Sequence, residues 1–252
     1  MFIPAYNAAK TLPAVLSRLS QDDWRIIGHV FVVDDGSKDK TSSSVAKLSS
    51  LNPKISLFSL PENKGYGAAV NKGIELCRTL DPDFCVCLHA DGQYPPEKIR
   101  EFTDIMAEQR IDILQGSRHK DGTALRGNMP VYKYIFGKIL VLLENKVFDL
   151  NMTDYHSGFL FYSRRALAEI PFQQLSSSFD FDLEVIASAR ARNLKIDELG
   201  IPTRYGDEES HLNPITYGLR VLRVLFRYKR GYYHRKSNGM DSPRNPQSDR
   251  GF

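Results

Sequence analysis

Two carboxylate-bearing clusters stand at the ends of two apolar runs. The first is Val32-Val33-Asp34-Asp35-Gly36-Ser37-Lys38-Asp39, and the second is Cys87-Leu88-His89-Ala90-Asp91-Gly92-Gln93. A short apolar run closed by turn-forming residues reads as a buried strand. Ligands of open α/β sheets bind outside the carboxyl ends of the strands. Asp34, Asp35, His89, Asp91 and Gln93 are therefore expected to converge on one cleft. Such a set offers acceptors for a base and a ribose, and hard ligands for a divalent metal beside phosphates. The chemistry it points to is the handling of a nucleotide diphosphate. Each cluster also has a plainer reading. Asp-Gly pairs close strands as turns whether or not a ligand follows, and a lone histidine is more often packed than liganding.

The elements that must carry these residues alternate along the chain. Strands are expected at Phe2 to Ala5, Val30 to Val33, Ile55 to Leu60, Phe84 to Leu88, Ile111 to Gly116, Phe159 to Tyr162 and Ile196 to Glu198. Between them, helical patterns cover Ala9 to Leu19, Ser42 to Ser50, Gly67 to Cys77, Pro96 to Glu108, Pro130 to Phe148, Arg164 to Ile170 and Leu183 to Arg192. Alternation of this kind predicts a largely parallel sheet covered on both faces. Asp39 or Thr41 is the expected cap of the second helix. The start, Met1-Phe2-Ile3-Pro4, reads as only the last part of a first strand; either that strand is short or the native start lies upstream. Asn63-Lys64-Gly65-Tyr66-Gly67 reads as a tight turn that lets the next helix pack close to the sheet. Asp180, Asp182 and Glu184 alternate with Phe179, Phe181 and Leu183. Extended backbone would put the three carboxylates on one face; alternatively Asp182 caps a helix beginning at Leu183.

Ile215 to Lys229 is helical and basic, and Ser237 to Phe252 has the composition of a disordered tail. Arg220, Arg223, Arg227 and Arg230 recur at helical spacing, either as a solvated face or as a membrane-surface stripe. Leu219, Leu222, Leu225 and Phe226 of the same segment would pack on the domain or in the interface.

Composition narrows the class. The 252 residues suffice for one large α/β domain, and 42% hydrophobic with 25% charged residues is ordinary for a globular protein. A net charge of +4 is too weak to argue for nucleic acid. Cys77, Cys85 and Cys87 form no zinc pattern and read as buried thiols, consistent with a reducing cytosol. No stretch has the pattern of a signal peptide or the length of a bilayer span. A cytoplasmic protein is expected, placed at the cytoplasmic face of a membrane if its acceptor is a lipid.

In order and spacing, the segments resemble the family 2 glycosyltransferases of the GT-A fold, and within them the dolichol-phosphate mannosyltransferase-like branch. The resemblance rests on Ile3-Pro4-Ala5-Tyr6-Asn7, Val33-Asp34-Asp35-Gly36-Ser37, Asn63-Lys64-Gly65-Tyr66-Gly67 and His89-Ala90-Asp91-Gly92-Gln93-Tyr94. It continues through Gly116-Ser117-Arg118, Asp154-Tyr155-His156-Ser157-Gly158-Phe159, Phe181-Asp182 and Pro202-Thr203-Arg204-Tyr205. It implies an α/β GT-A domain over residues 1–230, with a mostly parallel mixed sheet flanked by helices, and a tail over 231–252. It implies a metal-dependent, inverting transfer of a sugar from a GDP- or UDP-sugar to a polyprenyl or dolichyl phosphate.

Carried over position by position, the resemblance puts Pro4, Tyr6, Asn7, Asp34, Asp35, His89 and Ala90 on the nucleotide sugar. Arg118 and Arg204 would face its pyrophosphate, where a guanidinium fork suits phosphate oxygens. His211 lies near where the family often has a basic residue. Asp91 and Gln93, with His89, would hold Mn²⁺ or Mg²⁺. Asp91, Arg118 and Asp182 would be catalytic, Asp182 as the base if the acceptor is a hydroxyl. Asp154, His156 and Ser157 lack a nucleophile-elbow pattern and read as a loop lining the acceptor cleft. Two positions depart from the family. Ala8 stands where an acidic residue commonly follows Tyr-Asn, and His89 replaces the first Asp of Asp-x-Asp. Histidine is a softer ligand than carboxylate and shifts preference toward Mn²⁺, or contacts the ribose and leaves the metal to Asp91 and Gln93. These departures keep open a nucleotide-sugar-binding domain without turnover. A transferase to a hydroxyl of a cell-surface polysaccharide is the other alternative. A nucleotidyltransferase would carry a Gly-rich loop after the first strand, and Ala5-Tyr6-Asn7-Ala8-Ala9 is not one.

Overall fold

The computed structural model describes residues 1–120, 131–202 and 214–234. Strands β1 (Phe2–Ala5), β2 (Val30–Asp34) and β3 (Ile55–Ser59) pair in parallel in the order β1-β2-β3. Strands β4 (Phe84–Val86), β5 (Ile113–Ser117), β6 (Leu160–Ser163) and β7 (Ile196–Gly200) pair in the order β4-β6-β5-β7. A parallel bridge from Phe2 to Cys87 joins the two parts into one mixed sheet. Its order is then β3-β2-β1-β4-β6-β5-β7. Strand β6 runs antiparallel to both β4 and β5.

The pleat explains why both faces are covered. Phe2, Cys85, Cys87, Ile113, Leu160 and Tyr162 belong to one core cluster. Their alternates Ile3, Val86, Leu88, Leu114, Phe159 and Phe161 belong to the other. Period-two partition of near-continuous apolar runs is the mark of strands buried on both faces. Helices α1 (Thr11–Ser17), α2 (Gln21–Ile26), α3 (Thr41–Leu51), α4 (Tyr66–Arg78) and α5 (Ile99–Gln109) belong to the first half. Helix α4 approaches β1 so closely that a Cβ on Gly73 would lie 2.3 Å from the Phe2 ring. Helices α6 (Val131–Phe148), α7 (Arg164–Glu169), α8 (Phe181–Ala191) and α9 (Pro214–Lys229) follow. A third cluster, including Phe148, Tyr155, Ile186, Val221 and Val224, packs α6, α8 and α9 together. Tyr233 is buried against it and donates to Glu184 Oε1 at 2.6 Å, so packing continues to His234.

Several expectations are corrected. Helix α1 is shorter than Ala9 to Leu19, because the chain stops at Ser20 to begin α2. Ser20 Oγ accepts from Asp23 N–H and Asp23 returns the bond to Ser20 N–H, a capping box. Helix α4 packs close to the sheet as expected, at Gly73, whereas the close approach at Gly67 is to a loop: its Cβ would lie 2.5 Å from the Ser176 carbonyl oxygen. Residues 180–184 are not extended, since α8 begins at Phe181. Asp182 therefore sits inside the first turn and caps nothing. The arginine stripe of α9 is divided. Arg227, half-buried, and Arg220, still exposed, pair with Glu184 (3.1 Å) and Asp180 (3.3 Å), while Arg223 and Arg230 are exposed. Leu225 is buried, and Leu219, Leu222 and Phe226 are exposed. Arg204, His211 and the tail from Ser237 lie outside the described residues.

Candidate functional site

A cleft of about 420 Å³ opens where the strand order reverses between β1 and β4. This is the switch point at which open α/β sheets bind ligands. Pro4, Ala5, Tyr6, Asn7 and Ala8 line it from the end of β1, and His89, Ala90 and Asp91 from beyond β4. Asp35 follows β2, Asn63, Gly65 and Tyr66 open α4, and Ser178 with Phe179 precedes α8. Of the residues expected to converge, Asp35, His89 and Asp91 do so. Asp34 and Gln93 are neighbours of the cleft and do not line it.

The reason lies in the turns. Asp34 spends one oxygen on Ser37 N–H (3.0 Å) and the other on Ser42 Oγ (2.9 Å), fixing the chain between β2 and α3. Asp35 accepts from Lys64 N–H (2.8 Å) and Gly65 N–H (3.0 Å), tying the β2 turn to the start of α4. Asn7, at φ +53°, is clamped by Ser37 Oγ and by Lys38 N–H. Gln93 donates its backbone N–H to Asp91 Oδ1 at 2.9 Å. Among the described residues no hydrogen bond engages Asp91 Oδ2, which is open to a ligand.

Behind the cleft wall runs a buried chain. His89 Nε2 lies 3.1 Å from Tyr66 Oη, which donates to Asp182 Oδ2 at 2.9 Å. Among the described residues Asp182 Oδ1 has no hydrogen-bond partner. Burial pushes the Asp182 carboxyl up to about 7, against the Tyr66 hydrogen bond that favours its charge. Burial also lowers His89, and Arg118 adds to this while Asp91 opposes it. Arg118 is oriented by the loop before β6: Nε meets Asp154 Oδ2 at 3.1 Å and Nη2 meets the His156 carbonyl at 3.2 Å. Burial would raise Asp154, but Arg118 and the neighbouring histidines hold it well below the usual carboxylate range. Beyond it, His156 bonds Tyr217 of α9 through Nδ1 (2.9 Å) and sits 3.4 Å from Glu144 of α6 through Nε2. Burial lowers His156 to about 4 and raises Glu144 to about 9, leaving both neutral near pH 7.

Sequence reasoning missed Tyr66 as a site residue, along with Phe179, Glu144 and Tyr217. Tyr66 and Asp182 are 116 residues apart, and no local pattern links them. Phe179 stacks on Tyr66 at 5.8 Å and 11° and stays half exposed at the cleft. As a metal site the residues are incomplete by themselves. Among the described residues no three His, Cys, Asp or Glu side chains gather as a cage. One free Asp91 oxygen and His89 fit an ion whose remaining ligands are diphosphate oxygens and water, the usual arrangement for Mg²⁺ beside phosphates.

Comparison with known proteins accords with this geometry. The family model described as Glycosyl transferase family 2 matches residues 1–171. A UDP-N-acetylglucosamine–dolichyl-phosphate N-acetylglucosaminyltransferase of Methanococcus voltae is 27% identical, over 92% of this chain and 96% of its own. A dolichyl-phosphate β-glucosyltransferase of Dictyostelium discoideum is 28% identical, over 94% and 76%. Among solved structures, glucosyl-3-phosphoglycerate synthase of Mycobacterium tuberculosis, in complex with Mn²⁺, UDP and phosphoglyceric acid, superposes with a TM-score of 0.64. That match has 14% identity and covers 94% of this chain and 79% of the other. The cleft at the sheet's switch point is therefore built on the GT-A fold, and the chain is a glycosyltransferase that belongs to family 2.

Proposed function

We propose that the protein transfers a sugar, with inversion, from a UDP- or GDP-sugar to a polyprenyl or dolichyl phosphate, with Mn²⁺ or Mg²⁺ as cofactor. The observation that carries this reading is the convergence of Asp35, His89 and Asp91 on one switch-point cleft. The names of the relatives supply the acceptor class. Pro4, Tyr6, Asn7 and Asp35 hold the nucleoside, with Asp34 keeping the turn beneath them. His89 and Asp91 take the ribose and the metal edge of the diphosphate, with Gln93 bracing Asp91. Arg118, with Arg204 and His211 from outside the described residues, faces the pyrophosphate.

In the reaction an acceptor phosphate oxygen attacks the anomeric carbon as the bond from that carbon to the diphosphate oxygen breaks. The departing diphosphate gains negative charge, which Arg118 meets with a guanidinium already aimed by Asp154 and His156. A bound divalent ion supplies further neutralisation of the same charge. A phosphate acceptor is ionised near neutral pH and needs no base. A hydroxyl acceptor would need one, the role open to Asp182; its place behind Tyr66, off the cleft, favours the phosphate.

A lipid acceptor requires a membrane surface. No helix of the described residues is long and apolar enough to cross a membrane. Exposed Leu219, Leu222 and Phe226 on α9, beside Arg223 and Arg230, make that helix the contact we assign to the cytoplasmic leaflet. The test is transfer from a panel of UDP- and GDP-sugars to dolichyl phosphate with Mn²⁺. Metal-dependent transfer to the lipid is expected and should fall by about a hundredfold or more in Asp91→Asn. Full activity in excess chelator, or transfer only to hydroxyl acceptors, would overturn the reading.

A further inference from the structure

The donor-side histidine is gripped from behind. The Tyr66 hydroxyl stands between His89 Nε2 (3.1 Å) and Asp182 Oδ2 (2.9 Å). A phenol has one proton to give. When it goes to the carboxylate, the contact with His89 closes only if the imidazole is the donor, through Nε2–H. The ring is packed in place. It meets Tyr66 edge-on at 5.3 Å and 67°, and Tyr94 at 4.8 Å and 71°. The Gly158 backbone closes in as well, since a Cβ there would lie 2.4 Å from His89 Nε2 and 2.6 Å from Tyr66 Oη.

We propose that Tyr66 and Asp182 are positioning residues that lock His89 as its Nε2–H tautomer, leaving Nδ1 unprotonated as an acceptor toward the donor nucleotide. The inference rests on the donor-binding reading of His89 given above. A neutral acceptor nitrogen can take a hydrogen bond from a sugar hydroxyl or ligate a divalent ion. It cannot donate to a phosphate oxygen. The histidine thereby does the acceptor's part of a carboxylate at this position without adding a second negative charge beside Asp91. Asp182, in this arrangement, ends a hydrogen-bond chain and is not the base for the acceptor.

The test is the tautomer itself. Long-range ¹H–¹⁵N correlation spectra of ¹⁵N-histidine-labelled protein are recorded at pH 8.5, where Asp182 is ionised. His89 is assigned by its loss in His89→Gln. The wild type should show a protonated Nε2 and a bare Nδ1. Tyr66→Phe deletes only the hydroxyl, and should shift His89 toward the other tautomer while weakening UDP or GDP binding about three- to tenfold. A protonated Nδ1 in the wild type, or an unchanged His89 pattern in Tyr66→Phe, would overturn the lock. The wild-type spectrum decides even if the variant folds poorly. Failure of both UDP and GDP to bind the wild type would overturn the donor reading and the acceptor role with it. Binding with the wrong tautomer overturns the lock alone.

Discussion

Asp35 and Asp182 are both almost wholly buried beside the same cleft, and they are held by different kinds of partner. Asp35 has a backbone N–H on each oxygen, from Lys64 and Gly65. Asp182 has one phenol on one oxygen and, among the described residues, nothing on the other. Backbone donors come with the turn and cannot swing away. A single side-chain donor leaves desolvation dominant, and Asp182 rises to about 7. The contrast extends through the site. The first half of the chain supplies acceptors fixed by donors of that same half, Asp34, Asp35 and Asp91. The second half supplies Glu144 and Asp182, raised by burial, and Asp154, held low against burial by Arg118.

The sharpest break is at Asp154. Its removal would take the carboxylate from Arg118, leaving that guanidinium the His156 carbonyl, and would leave His156 N–H without its Asp154 acceptor. Losing one member of a buried pair costs about 3–5 kcal/mol. Urea denaturation of Asp154→Ala should show a loss of that order, and one below about 1 kcal/mol would mean that Arg118 finds another partner in its place.

The pH dependence of stability separates the halves next. Asp182 and Glu144 bind protons more tightly folded than unfolded. Their stabilisation is present below the unfolded carboxylate values and is lost as pH rises, through about 7 for Asp182 and about 9 for Glu144. His156 acts in the opposite sense, losing stability as pH falls from 6.5 toward 4. Asp182→Asn should flatten the decline between pH 4 and 7 by roughly a few kcal/mol. Glu144→Gln should gain on the wild type progressively up to pH 9. Parallel melting curves for variant and wild type across this range would contradict the assignment.

A smaller effect tests the first half. Asp35→Ala should weaken nucleotide binding by roughly 1.5–3 kcal/mol, the worth of a hydrogen bond to a charged group. Asp34→Ala should lower the melting temperature with less change in nucleotide affinity, because Asp34 holds the turn. Calorimetry with UDP and GDP reverses the two roles if Asp34 proves the more damaging to binding. The smallest effect concerns α9. Arg223→Ala should weaken adsorption to anionic vesicles at low salt by about 1 kcal/mol and leave neutral vesicles unaffected. Equal adsorption to both vesicle types would remove α9 from the membrane reading.

Legibility in the sequence followed the same divide. The strands and the clusters at their ends could be read because an apolar run and its closing turn are contiguous. Asp35, His89 and Asp91 reach the cleft for that local reason. Ser20-x-x-Asp23 was equally local and carried the signal for α2, although the apolar pattern around it did not. The antiparallel course of β6 has no local signature, since a doubly buried strand reads alike in either direction. Tyr66 with Asp182, and Glu144 and Tyr217 with His156, are brought together by the tertiary fold and not by a local pattern. The division of the α9 arginines likewise depends on carboxylates of α8 and its entry turn.

The join between the two parts of the sheet has a consequence for local unfolding. Among the described residues it rests on one isolated bridge, Phe2 to Cys87, with Leu88 N–H on the Phe2 carbonyl at 3.1 Å. The cleft straddles this seam, with Pro4 and Ala5 on one bank and His89, Ala90 and Asp91 on the other. A ligand touching both banks is a clasp across the seam, and its binding free energy adds to the cost of any opening that parts them. At a hundredfold excess over Kd that is about 2.7 kcal/mol, or roughly a hundredfold slower exchange of the Leu88 amide hydrogen with solvent.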